Sequence, residues 1–193
     1  MRTAFSIVVC LWVGLVAGAG AAQVESAKVE RDGAYYHVDF AVTLEGRVDR
    51  LRRLLTDYER LQELSTTMVE SRLLRGRSGA DARIEVVLRP CVLIVFCKTL
   101  TKVSDSTVEA GGERIRYDAV PGRGDFETAS ESIVMKQLSR AGAPAIHLRY
   151  TAVLRPAFSV PAFVGPWLIR RAILSDLEET SRRVEQRLGE DQQ

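Results

Sequence analysis

Cys91 and Cys97, six residues apart in RPCVLIVFCK, are the first side chains whose type and spacing could do chemistry. On one straight strand, six residues at ~3.3 Å each would hold them ~20 Å apart and leave two buried thiols, whereas a disulfide needs Cα atoms ~5.5 Å apart. If the chain reverses within VLIVF, the two face each other across a hairpin, and an oxidising compartment makes the bridge durable. The expectation is a Cys91–Cys97 disulfide closing a hairpin. A hydrolytic triad needs a histidine beside Ser or Cys. Only His37 and His147 exist, and both fall on strand faces opposite the apolar residues. Asp57, Asp125 and Glu127 could act as acids or bases if buried, but each sits at an expected turn or helix end, where a cap or an exposed charge is the simpler role. The chain has no HExxH, no cysteine pair at metal spacing, no Walker loop and no dinucleotide fingerprint, so neither metal nor cofactor is expected. PGRGDFE is glycine-rich but runs from strand to strand, so no helix N-terminus waits there for a phosphate.

The elements that must position these residues follow from periodicity. From Tyr35 to Leu44 the apolar residues alternate (Tyr36, Val38, Phe40, Val42, Leu44), the mark of a strand with one buried face. Between Gly46 and Thr66 the spacing changes to three and four, which predicts one or two short helices broken near Asp57. Beyond Thr66 some ninety residues read as strands separated by turn residues, among them GRSGAD, GGE, PGRGD and AGAP. Short connections between successive strands favour an antiparallel meander. From about Pro161 to Leu188 Phe163, Trp167, Leu174, Leu177, Ser181, Val184 and Leu188 recur at helical spacing. The first half of this helix is apolar nearly all round and is expected to be embedded; the second half, with Glu178, Glu179, Arg182 and Arg183, is expected to be solvated.

The N-terminus reads as an export signal. Arg2 is followed by an uninterrupted apolar run and then by small residues, with Ala19 and Ala21 at the small positions before a cut near Ala22, although Ala17 and Ala19 would also serve. Residues 1–22 are therefore expected to be a cleaved signal peptide and residues 23–193 one domain, periplasmic or secreted; an uncut anchor spanning Ala4 to Ala22 is the competing arrangement. Across the whole chain 27 basic residues stand against 25 acidic ones. So even a balance gives no basic face for nucleic acid. No motif sets an oligomeric state.

Apolar and aromatic side chains are in surplus around the expected space between sheet and helix: Tyr58, Met68, Phe96, Tyr117, Phe126, Met135, Tyr150, Phe163 and Trp167 could all reach one interior. An apolar pocket with few polar groups is the default place for a ligand. The segment Val92 to Phe96 is apolar enough to touch a membrane transiently or to gate such a pocket, and a buried turn is the alternative.

The segments LLTDYERLQELSTTMVESRLL (54–74), GDFETASESIVM (124–135) and PAFVGPWLIRRAILSDLEET (161–180) resemble the START-like, or SRPBCC, superfamily, which includes polyketide cyclases and coenzyme Q-binding proteins; Asp57, Tyr58 and Ser71 hold the places of its Asp-Tyr and strand serine. The resemblance implies an α+β helix-grip fold, with a curved antiparallel sheet of six to seven strands around the long C-terminal helix and two short helices after strand 1. It further implies a cavity for a hydrophobic small molecule such as a lipid, isoprenoid or polyketide. The expected function is non-catalytic binding or carrying of that molecule. A cyclase- or hydratase-type enzyme in the same cavity, with Asp57, Tyr117 or Arg149 polarising a carbonyl, is the alternative; a module acting on ribosomes is disfavoured by export.

Overall fold

A computed structural model describes residues 22–92, 96–158 and 165–190. The leader expected over residues 1–22 lies outside these apart from Ala22, as do Phe163, the hairpin tip 93–95 and the side chains of Val92 and Phe96.

One eight-stranded antiparallel sheet and one long helix make up the α+β architecture. The strands are β1 (Gln23–Asp32), β2 (Tyr35–Glu45), β3 (Met68–Gly76), β4 (Ala82–Leu88), β7 (Leu100–Val108), β8 (Arg114–Gly124), β9 (Phe126–Arg140) and β10 (Ala143–Pro156), in the spatial order β1-β2-β10-β9-β8-β7-β4-β3. A separate hairpin, β5 (Cys91–Val92) and β6 (Phe96–Cys97), pairs Cys91 with Cys97 and is closed by a disulfide between them. The α1 helix (Val48–Leu55) and a single 3-10 turn (Leu61–Glu63) follow β2; α2 (Gly165–Glu190) ends the described chain. Among the described residues no helix is long and apolar enough to cross a membrane.

The alternation of β2 sets the core. Tyr36, Val38, Phe40, Val42 and Leu44 are all buried, and across the ladder Leu154, Ala152, Tyr150, Leu148 and Ile146 of β10 stand opposite them. The sheet holds one strand more than expected from sequence, β1, which precedes the expected first strand. Its apolar residues Val24, Ala27 and Val29 break the two-residue period because the register slips between Val24 and Ser26. As an edge strand it is mostly exposed and charged, which discourages pairing with another chain.

Against expectation the second half of α2 is anchored in the core as deeply as the first, where Leu168 is also buried. Val184 and Leu188, near its end, are almost wholly buried in the same cluster as Leu44, Met135 and Ile146. Trp167, near its start, is 61% exposed. Pro166 sits in the first turn without breaking the helix, where a missing N–H goes unnoticed. Gly46, between β2 and α1, has φ +137°, and a Cβ there would come within 3.3 Å of Leu188 Cδ1. Its lack of a side chain lets the last turns of α2 close down on the sheet. Polar contacts fasten the helix at its end and at its middle. Arg187 Nη2 donates to Glu63 Oε2 at 2.7 Å, and Asp176 accepts from Ser65 Oγ at 3.0 Å and Thr66 Oγ1 at 3.2 Å.

Leu188→Ala is expected to destabilise the protein by about 2–5 kcal/mol in urea unfolding, the usual cost of a cavity in a packed core. Ile169→Ala, on the stretch of α2 that borders the hollow, is expected to cost distinctly less, because that side chain lines open space rather than a packed cluster.

Candidate functional site

Between the sheet and α2, along Ile169 to Val184, lies a hollow of about 660 Å³, within the range of small-molecule pockets. Its wall comes from two sides. The sheet supplies Val38, Phe40, Leu148, Ile133 and Val86, and the helix supplies Ile169, Ala172, Ile173 and Leu177. Leu55, Leu61 and Leu64, from α1 and the 3-10 turn, close the floor. This is where the apolar first half of α2 is spent: its side chains face the hollow, while the last turns carry the packing.

The rim is built from the disulfide hairpin and the end of β10. Pro90, Cys97 and Lys98 face Pro156 and Phe158, and Lys98 Nζ lies 3.3 Å from the centroid of the Phe158 ring, a cation–π contact. Asp125 braces this region from beneath. Its carboxylate accepts the Thr101 N–H at 2.7 Å, its own N–H donates to Thr101 O at 2.8 Å, and its carbonyl accepts the Ala157 N–H at 2.9 Å. Gly124, at φ +112°, permits the turn, since a Cβ would fall 2.4 Å from Thr101 O. PGRG, expected as a turn, continues β8, and the acid that follows it, at the bend before β9, is a structural clamp.

One side of the wall is polar. Lys102 on β7 forms an ion pair with Glu131 on β9, and each side chain is only 12% exposed. On the strand between them, β8, Gly124 stands opposite Lys102, Ala119 opposite Ser104 and Tyr117 opposite Glu131. Tyr150 Oη donates to the second carboxylate oxygen of Glu131 at 3.1 Å. Burial first, and the nearby negative charge of Glu131 second, push the Tyr150 phenol well above its ordinary value, so it stays a donor. Tyr117, also on the wall, donates to Leu55 O at 2.8 Å and is pushed up by burial. Tyr36 lines the hollow from β2, and its hydroxyl has no partner among the described residues.

Of the side chains expected to surround a ligand, Met68, Tyr117, Phe126 and Tyr150 line the hollow. Tyr58 and Met135 are wholly buried in the packed core instead; Tyr58 Oη donates to Ala80 O at 2.8 Å and lies 3.0 Å from Ser106 Oγ. Trp167 points to solvent, and Phe96 and Phe163 lie outside what is described. Arg149 is on the outer face of the sheet, paired with Asp39 at 3.1 Å, and Glu127 pairs with Arg155 at 2.8 Å on the surface. His37 is exposed, and His147 lies 3.3 Å from Glu25. Lys102, Glu131 and Asp176 were missed because single charges within short apolar alternations look like solvent-facing positions. The one available signal was the phase of β9, where Glu131 shares the parity of Ile133 and Met135.

Among solved structures, TTHA0849 from Thermus thermophilus matches 81% of this chain and 99% of its own, with TM-score 0.60 at 19% identity. A START superfamily protein from Mycobacterium smegmatis matches 80% and 97%, with TM-score 0.60 at 13% identity. The fold is START-like. The Zhui aromatase/cyclase from a Streptomyces species shares this START-like architecture over 82% of the present chain and 94% of its own, with TM-score 0.57 at 15% identity. No protein-family profile matches the chain, and no curated protein does.

Lys102→Met alone strands the Glu131 carboxylate in the wall and is expected to destabilise by about 3–5 kcal/mol. The double variant Lys102→Met/Glu131→Leu is expected to recover most of that loss in chemical unfolding; equal stability of single and double variants would mean that the pair is not buried as described.

Proposed function

We propose that this protein is an exported binder or carrier of a hydrophobic small molecule, of lipid, isoprenoid or polyketide-like kind, held between the sheet and α2. The observation that carries it is the hollow itself: about 660 Å³ of mostly apolar wall, kept open beneath a helix whose far end is packed shut. An apolar body gains from leaving water there, at roughly 25 cal/mol per Å² buried. Lys102, Glu131 and Tyr150 on one side, with the unpaired Tyr36 hydroxyl, suit a molecule that also bears a hydroxyl or carbonyl. The ligand contacts proposed are Met68, Tyr117, Phe126 and Tyr150 on the described wall, together with Phe96 and Phe163, whose side chains lie outside what is described. The disulfide on the rim supports an oxidising compartment, periplasmic or secreted, reached through cleavage of the leader.

A second reading is favoured by one observation, that the wall holds titratable groups. The Lys102–Glu131–Tyr150 cluster could polarise a bound carbonyl in a cyclase- or hydratase-type reaction, and one structural neighbour is an aromatase/cyclase. A catalyst would leave the recovered molecule chemically changed, whereas a carrier would return it intact.

Protein purified from its export compartment without refolding is expected to show, in native mass spectrometry, a complex heavier than the chain that organic extraction strips. Ile173→Trp, which thrusts a ring into the hollow, is expected to weaken that complex while the circular dichroism stays native. A wild-type chain consistently without bound mass would count against the carrier role. The apolar hairpin tip is further proposed to touch the membrane during loading: Ile94→Asp is expected to abolish liposome sedimentation, and unchanged sedimentation would reject that contact.

A further inference from the structure

Glu185, one turn before the end of α2, stands in unusual company. Its carboxylate accepts the Glu45 N–H at 3.2 Å and also takes the backbone N–H of Ala22. Burial pushes its pKa up, and Glu45 adds a second negative charge beside it. Among the described residues no lysine or arginine forms an ion pair with it; Arg140, which borders the same shallow hollow of about 500 Å³, spends its guanidinium on Gln23 Oε1 at 2.6 Å. A half-buried carboxylate next to a second acid, held by two amide dipoles, lacks a cation.

Export supplies one at the right atom. Ala19 and Ala21 are the small residues that a leader peptidase requires three and one positions before its cut, so the Ala21–Ala22 bond is a competent site. Hydrolysis there adds water across the amide: the Ala21 carbonyl carbon takes the hydroxyl and leaves with the leader as a carboxylate, and the Ala22 nitrogen becomes an amine. With an ordinary α-amino pKa of about 7.7–8.0 that amine is protonated at neutral pH. We propose that the leader is cut between Ala21 and Ala22 and that the new Ala22 ammonium forms an ion pair with Glu185, fastening the first residue of the mature chain to the closing helix. Ala22 is the only start that does this. A cut one residue later would begin the chain at Gln23, whose amine can attack its own side-chain amide, release ammonia and leave a neutral lactam. The pair links the edge strand β1 to the end of α2 that carries Val184 and Leu188, so maturation tightens the packed end of the fold. It rests on export, not on what the hollow binds.

The full chain, leader included, expressed in a host with an export pathway, tests this by intact mass and N-terminal sequencing. Ala22 is expected as the first residue; an uncut chain, or a start at Gln23, its lactam or any other residue, would overturn the proposal. Mature protein starting at Ala22 is then compared with the same protein carrying one extra glycine, which moves the ammonium away and leaves an amide at Ala22. The glycine is expected to lower Tm by about 2–4 °C, and in a Glu185→Gln background to change it by no more than measurement scatter. An equal drop in both backgrounds would overturn the ion pair. Should Glu185→Gln not fold, the 13C shift of the Glu185 carboxyl reads the same contact: a lower apparent pKa is expected in the Ala22-first protein than in the glycine-first one, with Glu45 and Arg140 common to both, and equal values would overturn it.

Discussion

Leu188 and Val184 meeting Leu44, Met135 and Ile146 hold α2 against the sheet at one end, and the rest of the molecule is arranged around that closed end. Protein interiors pack as densely as organic crystals, so a helix crossing a twisted sheet can be in full contact over only part of its length. Here the tightest contact is made by the last turns, over Gly46, where no side chain holds the surfaces apart. Towards its start α2 keeps a narrower contact, with Ile173, Leu174 and Leu177 against Val29, Val38 and Ala152, and beside it apolar residues that would otherwise fill a core become the wall of a hollow. The polar tethers serve the same geometry: Arg187 to Glu63 at the closed end, and Asp176 to Ser65 and Thr66 halfway along, fix the helix at two heights without filling the space beside it.

The ionic side of the hollow is a different kind of constraint. Removing Lys102 and Glu131 from water is expensive, and their mutual attraction with the Tyr150 hydrogen bond offsets that cost only while all three remain together. A purely apolar wall would be easier to build. The cluster gives the hollow one end that prefers a hydrogen-bonding atom and so an orientation for anything bound. Tyr117, by contrast, has its hydroxyl committed to the α1 carbonyl at Leu55 and acts as a strut between floor and sheet.

Much of the architecture was legible from period alone. The inward row of β2, the inward row of β10 and the helical spacing of α2 were readable because each keeps one phase over ten or more residues. The disulfide followed from the single reversal that six residues permit. What escaped notice did so for physical reasons. β1 carries a register slip that breaks its alternation. The deep seating of Val184 and Leu188 and the exposure of Trp167 were not legible, because an apolar surface facing a hollow and one facing a core have the same sequence. Tyr58 and Met135 look like cavity residues in composition, and only depth separates them from Met68 and Tyr150. Lys102 and Glu131 are two strands apart, and no local pattern reveals a pair made across a strand.

All of this depends on the space beneath the first half of α2 being open. The most direct measurement is a crystal structure of protein taken from its export compartment without refolding. Electron density is expected to show a hollow of about 660 Å³, occupied by an elongated or planar molecule with a polar atom towards Tyr150 and Lys102. A helix settled onto the sheet along its whole length, with Ile169 and Ala172 packed against Phe40 and Leu148 and no space left between them, would contradict it.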